Sequence, residues 1–194
     1  SPLGIPYPKG YLPALTQLAH SYGIKVIIDE VMSGLKRCGP GLMTACSRDE
    51  GLVADFITFG KALTNGMLPL SAVVVGDATE FDDSPWPHGS TFSGFYMGMA
   101  VCQDVLNYID TPEFDTLLAE KEALLDRKLQ AMVDDESTFI NKHAGSGLMW
   151  TIFMDLPDAD AARMRTELRT RFNARQFGMA NRVMISPTID ITES

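Results

Sequence analysis

The sequence is short of the residues that mark several protein classes. Three cysteines, Cys38, Cys46 and Cys102, are odd in number and lack C-x-x-C spacing, so they form neither a disulfide framework nor a zinc site by arithmetic. They read as reduced, partly buried thiols. Three histidines, His20, His88 and His143, stand apart from any cysteine or carboxylate at ligand spacing, and no metal is expected; His20 reads as a surface residue. Lys and Arg number 16 against 25 Asp and Glu, for a formal net charge of -9. That excess excludes the basic face a nucleic-acid partner requires, and an acidic substrate would need locally placed cations. No apolar run reaches the roughly 18 residues of a membrane span, and no basic, then apolar, then small-residue leader opens the sequence. The expected compartment is therefore the cytoplasm, with no membrane partner. What remains, 194 residues with 45% hydrophobic and 21% charged, is a globular composition sufficient for one large domain or two small ones.

The chain order predicts an α/β fold. Leu12, Leu15, Leu18, Ala19 and Tyr22 follow helical spacing over 11–22, with Gly23 at the C-cap position. Three short apolar runs follow, at 24–28, 55–59 and 71–75, of the kind that form strands buried on both faces. The first ends in Asp29-Glu30, the second in Gly60-Lys61 and the third at Gly76. Residues 76–89 read as a loop and 94–109 as a helix. A long amphipathic helix covers 113–133, a strand 147–156, an Arg-rich helix 158–177 and a final strand 182–186. A domain boundary is placed near residue 110. The Arg-rich helix reads as a solvated surface, because residues 111–194 carry ten basic and fourteen acidic side chains and so have no net basic character.

Common motifs fail. Gly60-Lys61 is followed by Ala62 and preceded five residues earlier by Asp55, so there is no P-loop, and Ser146 lies between Ala144 and Leu148, so there is no nucleophile elbow. No G-x-G-x-x-G fingerprint follows the first strand. What survives is Asp29 at one strand end, Lys61 at the next, and the loop His88-Gly89-Ser90-Thr91-Phe92-Ser93-Gly94 before a helix. Each has a plain structural reading, as a helix cap, a solvated charge or a turn. Together they supply an amine for a Schiff base, a carboxylate to keep a pyridine nitrogen protonated, and donors for a phosphate. Open α/β sheets bind ligands at the carboxyl ends of their strands. This is the donor set that pyridoxal phosphate needs.

In order, Gly10-Tyr11-Leu12, Ile28-Asp29-Glu30-Val31-Met32-Ser33-Gly34 with Arg37-Cys38-Gly39, Ala54-Asp55-Phe56-Ile57-Thr58-Phe59-Gly60-Lys61-Ala62-Leu63, Pro69-Leu70-Ser71-Ala72-Val73 and the 88–94 loop resemble the class III (omega-amino acid) aminotransferases. The resemblance thins after residue 100, where Gly145-Ser146-Gly147-Leu148-Met149 and Ile185-Ser186-Pro187-Thr188 still match. It implies fold type I, with residues 1–110 as the carboxyl part of the large cofactor-binding domain, a mostly parallel sheet with helices. Residues 111–194 would be most of a smaller α+β C-terminal domain. It implies pyridoxal 5'-phosphate as cofactor, Lys61 as the Schiff-base lysine, Asp29 as the partner of the pyridine nitrogen and Val31 as the apolar cover of one ring face. Thr91 would reach the phosphate in the neighbouring subunit of a homodimer, with Ser90 beside it. The implied reaction moves an amino group from an omega-amino acid or amine to a keto acid, with a freed Lys61 amine carrying the proton; a mutase or racemase uses the same parts.

Two departures and two gaps accompany the resemblance. The usual G-F-G-R-T-G reads Gly34-Leu35-Lys36-Arg37-Cys38-Gly39, and Tyr96 stands where a Pro is common. The family's N-terminal half, with its phosphate-holding helix N-terminus, would lie before Ser1, and its last C-terminal segment would follow residue 194. The chain is therefore expected to be a fragment of an active aminotransferase, an inactive remnant that binds a partner, or the complementing half of a split enzyme. Apolar sheet surface is expected to be exposed. Arg182 is open to two readings, a substrate carboxylate or a structural ion pair.

Overall fold

The computed structural model describes residues 5–76, 89–172 and 181–192. Tertiary contacts divide the chain into two compact units. One comprises residues 8–37 and 41–114; the other comprises 1–7, 38–40 and 115–194.

In the first unit, helix α1 (Tyr11–Ser21) ends as its sequence predicts. Gly23, at φ 70°, donates to the His20 carbonyl, and Ile24 donates to the Ala19 carbonyl, the double closure of a Schellman motif. That closure and a carboxylate shorten the expected strand. Val26 N–H is taken at 2.8 Å by Asp55 Oδ2 instead of a ladder, so β1 covers only Ile27–Asp29. Strand β2 (Phe56–Phe59) pairs with β1 in parallel and with β3 (Ala72–Val75) antiparallel. The sheet expected to be mostly parallel is thus mixed, one ladder of each kind. Nor are its strands buried on both faces. Ile57 and Phe59 are buried, whereas all four residues of β3 are exposed, Val73 to 60%, and Ile27 of β1 to 64%. The core beneath β2 collects Leu35, Ala54, Ile57, Phe59, Leu63 and Ile109, the last from helix α3 (Tyr96–Ile109).

Asp55, at 4% exposure, explains how this small sheet is fastened. Beside its bond to Val26 it accepts from His20 and Lys25, each at 2.9 Å. Charge-assisted bonds to a buried carboxylate are about twice as strong as neutral ones. His20 is exposed, as expected, yet its ring ties α1 to the strand.

The turn after β1 carries the departure from the usual glycine pattern. Leu35 and Lys36 take φ 55° and 62°, the left-handed region that favours glycine. Lys36 holds that backbone while buried, its Nζ 3.9 Å from Asp110 Oδ1 at the end of α3. Gly34 before it is required for another reason. A Cβ there would lie 2.8 Å from Phe59 Cε1 and 2.9 Å from the Glu30 carbonyl oxygen. A short helix, α2 (Thr44–Arg48), follows the turn.

Helix α4 (Pro112–Asp134) leads into the second unit, where β4 (Ile140–Ser146), β5 (Met149–Met154) and β6 (Arg182–Ile185) form an antiparallel sheet in that order. Strand β5 is shorter than expected because Gly147, at φ 56°, and Leu148 make the turn from β4. Helix α5 (Asp158–Phe172) places Ala161 against Met154 and Val183; the remainder of the Arg-rich stretch expected to 177, including Arg175, lies outside the described residues. The segment 38–40 belongs to this unit: Cys38 packs with Met149 and Met184, its Sγ 3.7 Å from Met149 Sδ, and Ser146 Oγ donates to the Cys38 carbonyl at 2.9 Å.

Candidate active site

The two acids that end β1 are separated by strand alternation. Glu30 turns inward to 2% exposure, where Ser33 Oγ (2.7 Å) and Ala45 N–H (2.5 Å) donate to its two carboxylate oxygens and secure the start of α2. Asp29 is exposed. Its Oδ1 accepts from Val31 N–H at 3.0 Å and from Thr58 Oγ1 at 3.3 Å. Both bonds fall on one oxygen, and Oδ2 takes no hydrogen bond among the described residues.

Lys61 follows β2 directly and opens a single 3-10 turn, Lys61–Thr64. Its φ of 36° is in the left-handed region, a conformation that costs a non-glycine residue about 1 to 3 kcal/mol. The turn is held down by the buried Leu63 and Thr64, the latter donating to the Leu68 carbonyl. Lys61 itself is exposed, and among the described residues its amine has no hydrogen-bond or ion-pair partner. The parallel register sets Asp29 opposite Thr58, three residues before Lys61. Val31 completes the group, its Cγ1 3.4 Å from where a Cβ on Gly60 would stand. Asp29, Val31 and Lys61 therefore stand at or just beyond the carboxyl ends of two paired strands.

Ser90 and Thr91 are not drawn into that cluster by any hydrogen bond. They lie exposed in a turn before α3, in which Ser90 N–H donates to Ser93 Oγ at 3.0 Å and Ser93 N–H to the Ser90 carbonyl at 3.0 Å. His88 and most of the loop expected at 76–89 lie outside the described residues. Tyr96 is the first residue of α3, where Pro would lose no helical bond, so its replacement costs the helix none. Arg182 lies over the Phe153 ring at 5.4 Å, and Lys142 at 5.6 Å, both cation–π contacts. His143 places Nε2 3.2 Å from Gln130 Oε1. Among the described residues no three His, Cys, Asp or Glu side chains converge on a metal position, and no helix is long and apolar enough to cross a membrane.

A family profile described as aminotransferase class III matches residues 4–193. The chain belongs to the class III aminotransferases. Members of the class depend on pyridoxal phosphate. The mitochondrial ornithine aminotransferase of Arabidopsis thaliana is 36% identical over 128 residues, 66% of this chain and 26% of that protein. The acetylornithine aminotransferase of Bacillus subtilis is 33% identical over 150 residues, 77% of this chain and 37% of its own length. The structure of the taurine:2-oxoglutarate aminotransferase of Bifidobacterium kashiwanohense, in complex with PLP and glutamate, superposes with a TM-score of 0.84 at 25% identity, over 98% of this chain and 46% of that one. This class III chain thus spans less than half the length of each of these three proteins.

Glu30, Asp55 and Thr58 were missed as site supports by sequence reasoning. Asp55 and Thr58 carried a readable signal, since both sit in the strand segment that ends at Lys61; the role of Glu30 depends on a contact fifteen residues away.

Proposed function

We propose that the polypeptide carrying this chain transfers an amino group from an omega-amino acid or amine to a keto acid, using pyridoxal phosphate held as a Schiff base on Lys61. The observation that supports this best is the placement at adjacent strand ends of a Lys61 amine without a partner among the described residues and an Asp29 carboxylate with one oxygen fixed and the other open. When bound, the cofactor supplies a carbonyl that condenses with amines and a ring that withdraws electrons once its nitrogen is protonated. With the cofactor bound, Asp29 Oδ2 would accept the hydrogen of the ring nitrogen and hold the positive charge in place, and Val31 would cover one ring face and exclude water from it. The Lys61 amine would accept a proton from the donor carbon that bears nitrogen and later return one. On this reading residues 1–110 are the carboxyl part of the large domain and 111–194 an incomplete small domain. Thr91, with Ser90, serves the phosphate of the partner subunit in a homodimer. Three free thiols suit a reducing compartment such as the cytoplasm.

The donor class follows the relatives, whose names specify ornithine, acetylornithine and taurine. All three carry an amine remote from a carboxylate or sulfonate.

The test is borohydride trapping followed by intact-mass measurement. Wild-type polypeptide gains the mass of one reduced cofactor, and Lys61→Ala gains none; a gain retained by Lys61→Ala moves the covalent site elsewhere. Asp29→Asn keeps the covalent gain while amino transfer falls about a hundredfold or more.

A second reading is favoured by β3, exposed on both faces, and by the chain's share of its relatives' length. The 194 residues then act as a fragment or complementing partner chain, or as an inactive remnant. Alone they bind pyridoxal phosphate weakly and show negligible turnover. Transamination by the isolated 194 residues overturns this second reading and leaves the first.

A further inference from the structure

We infer that Thr58 is a positioning residue that decides which oxygen of Asp29 meets the cofactor ring, an inference that rests on the cofactor reading above. The Val31 N–H alone reaches Asp29 Oδ1 from two residues away in the same turn, a local bond that leaves the carboxylate free to rotate about its last torsion. The Thr58 hydroxyl comes from the neighbouring strand, at the same register level, and donates to the same oxygen. Two donors from two elements fix the carboxylate plane and turn Oδ2 toward the open strand ends. Thr58 is itself held on both sides. Its carbonyl accepts from Glu30 N–H at 3.0 Å, and its Cα partner in β3 is Val73. The hydroxyl therefore sits in a frame set by the sheet, and the second oxygen of Asp29 is left without a hydrogen bond among the described residues.

The test titrates pyridoxal phosphate into wild-type, Thr58→Val, Thr58→Ser and Asp29→Asn forms of the full polypeptide. Affinity is read by quenching of intrinsic fluorescence, and the ring-nitrogen shift by NMR with 15N-labelled cofactor. Valine keeps the branched shape and strand preference and loses only the hydroxyl. Thr58→Val is expected to weaken binding roughly tenfold, the worth of one hydrogen bond to a charged group, and to move the ring-nitrogen signal toward its unprotonated position. Thr58→Ser is expected to restore both. A structural role would lower thermal stability in both variants without moving the nitrogen signal. Thr58→Val binding within about twofold of wild type, or failure of serine to rescue, overturns this inference while the Asp29 role stands. Wild-type protein that takes up no pyridoxal phosphate, or Asp29→Asn that binds as wild type does, overturns both.

Discussion

The two sheets of this chain have three strands each and differ in what covers them. In the sheet of β4, β5 and β6 the central strand is closed in, with Met149, Trp150, Thr151 and Met154 buried, and Ala161 of α5 seated on Met154 and Val183. In the sheet of β1, β2 and β3 only the central strand is covered, and β3 presents Val73, Val74 and Val75 outward, between 60% and 39% exposed. The covered sheet carries no candidate catalytic side chain; the open one carries Asp29, Val31 and Lys61. Contiguous exposed apolar surface marks an interaction face, and the candidate strand ends lie on the same sheet.

The sharpest way to break that contrast is to remove the polar clamp of the open sheet. Asp55→Ala leaves His20, Lys25 and Val26 N–H without their acceptor, and a loss of about 3 kcal/mol is expected, measured by urea unfolding, with hydrogen exchange rising first in residues 8–37 and 41–76. Equal loss of protection in β4 to β6 would show that the two sheets do not differ in how they are fastened. Next in size, Gly34→Ala and Gly145→Ala force a Cβ into Phe59 and Trp150 respectively. Each is expected to cost about 1 to 3 kcal/mol in the same assay, with stability lost in the unit that holds the glycine. Smaller still is the matched pair Val183→Thr and Val73→Thr. The first hides a hydroxyl at a site 2% exposed and is expected to cost about 1 to 2 kcal/mol. The second, in the 194-residue chain, stays within about 0.5 kcal/mol, and a large cost there would mean that β3 is covered after all.

The smallest effect concerns Cys46, whose thiol is pushed above its ordinary value first by burial and then by the nearby Glu30 carboxylate. The folded state thus favours the neutral thiol, so its contribution to stability is present below the unfolded-state value and fades as pH rises through the folded one. Alkylation by iodoacetamide at pH 8 should be slower at Cys46 than at a free cysteine in a peptide, and Glu30→Gln should narrow the gap. An equal rate in the native chain would remove the burial argument.

Sequence reading reached the elements whose pattern is local. Helix α1 and its glycine stop, the amphipathic α4 and the short apolar β2 are each specified by spacing within a dozen residues. It missed β4, because Ile140-Asn141-Lys142-His143-Ala144-Gly145-Ser146 shows no alternation and is held as a strand by β5, with a register shift between Ile140 and Lys142. Burial of the sheet was legible only in part: the apolar runs read as strands covered on both faces, while the exposed apolar sheet surface that was also expected is found on β3. A run of valines announces that something apolar will cover it, without saying that the cover lies among these residues. The placement of Asp29 and Lys61 at the carboxyl ends of strands was legible from the apolar runs that precede them. The anchoring of Asp29 by Thr58 was not, since strand pairing across twenty-nine positions brings them together.

The segment 38–40 carries a consequence for modularity. Because Cys38 contributes to the packing of Met149 and Met184 while the residues flanking 38–40 on both sides belong to the other unit, the C-terminal unit is not a contiguous stretch of gene. A truncation that begins after residue 114 would start life with that niche unfilled, and a graft that moves residues 115–194 onto another scaffold would leave Cys38 behind. Recombination between relatives at this junction must therefore carry residues 38–40 along with 115–194, or inherit a hole.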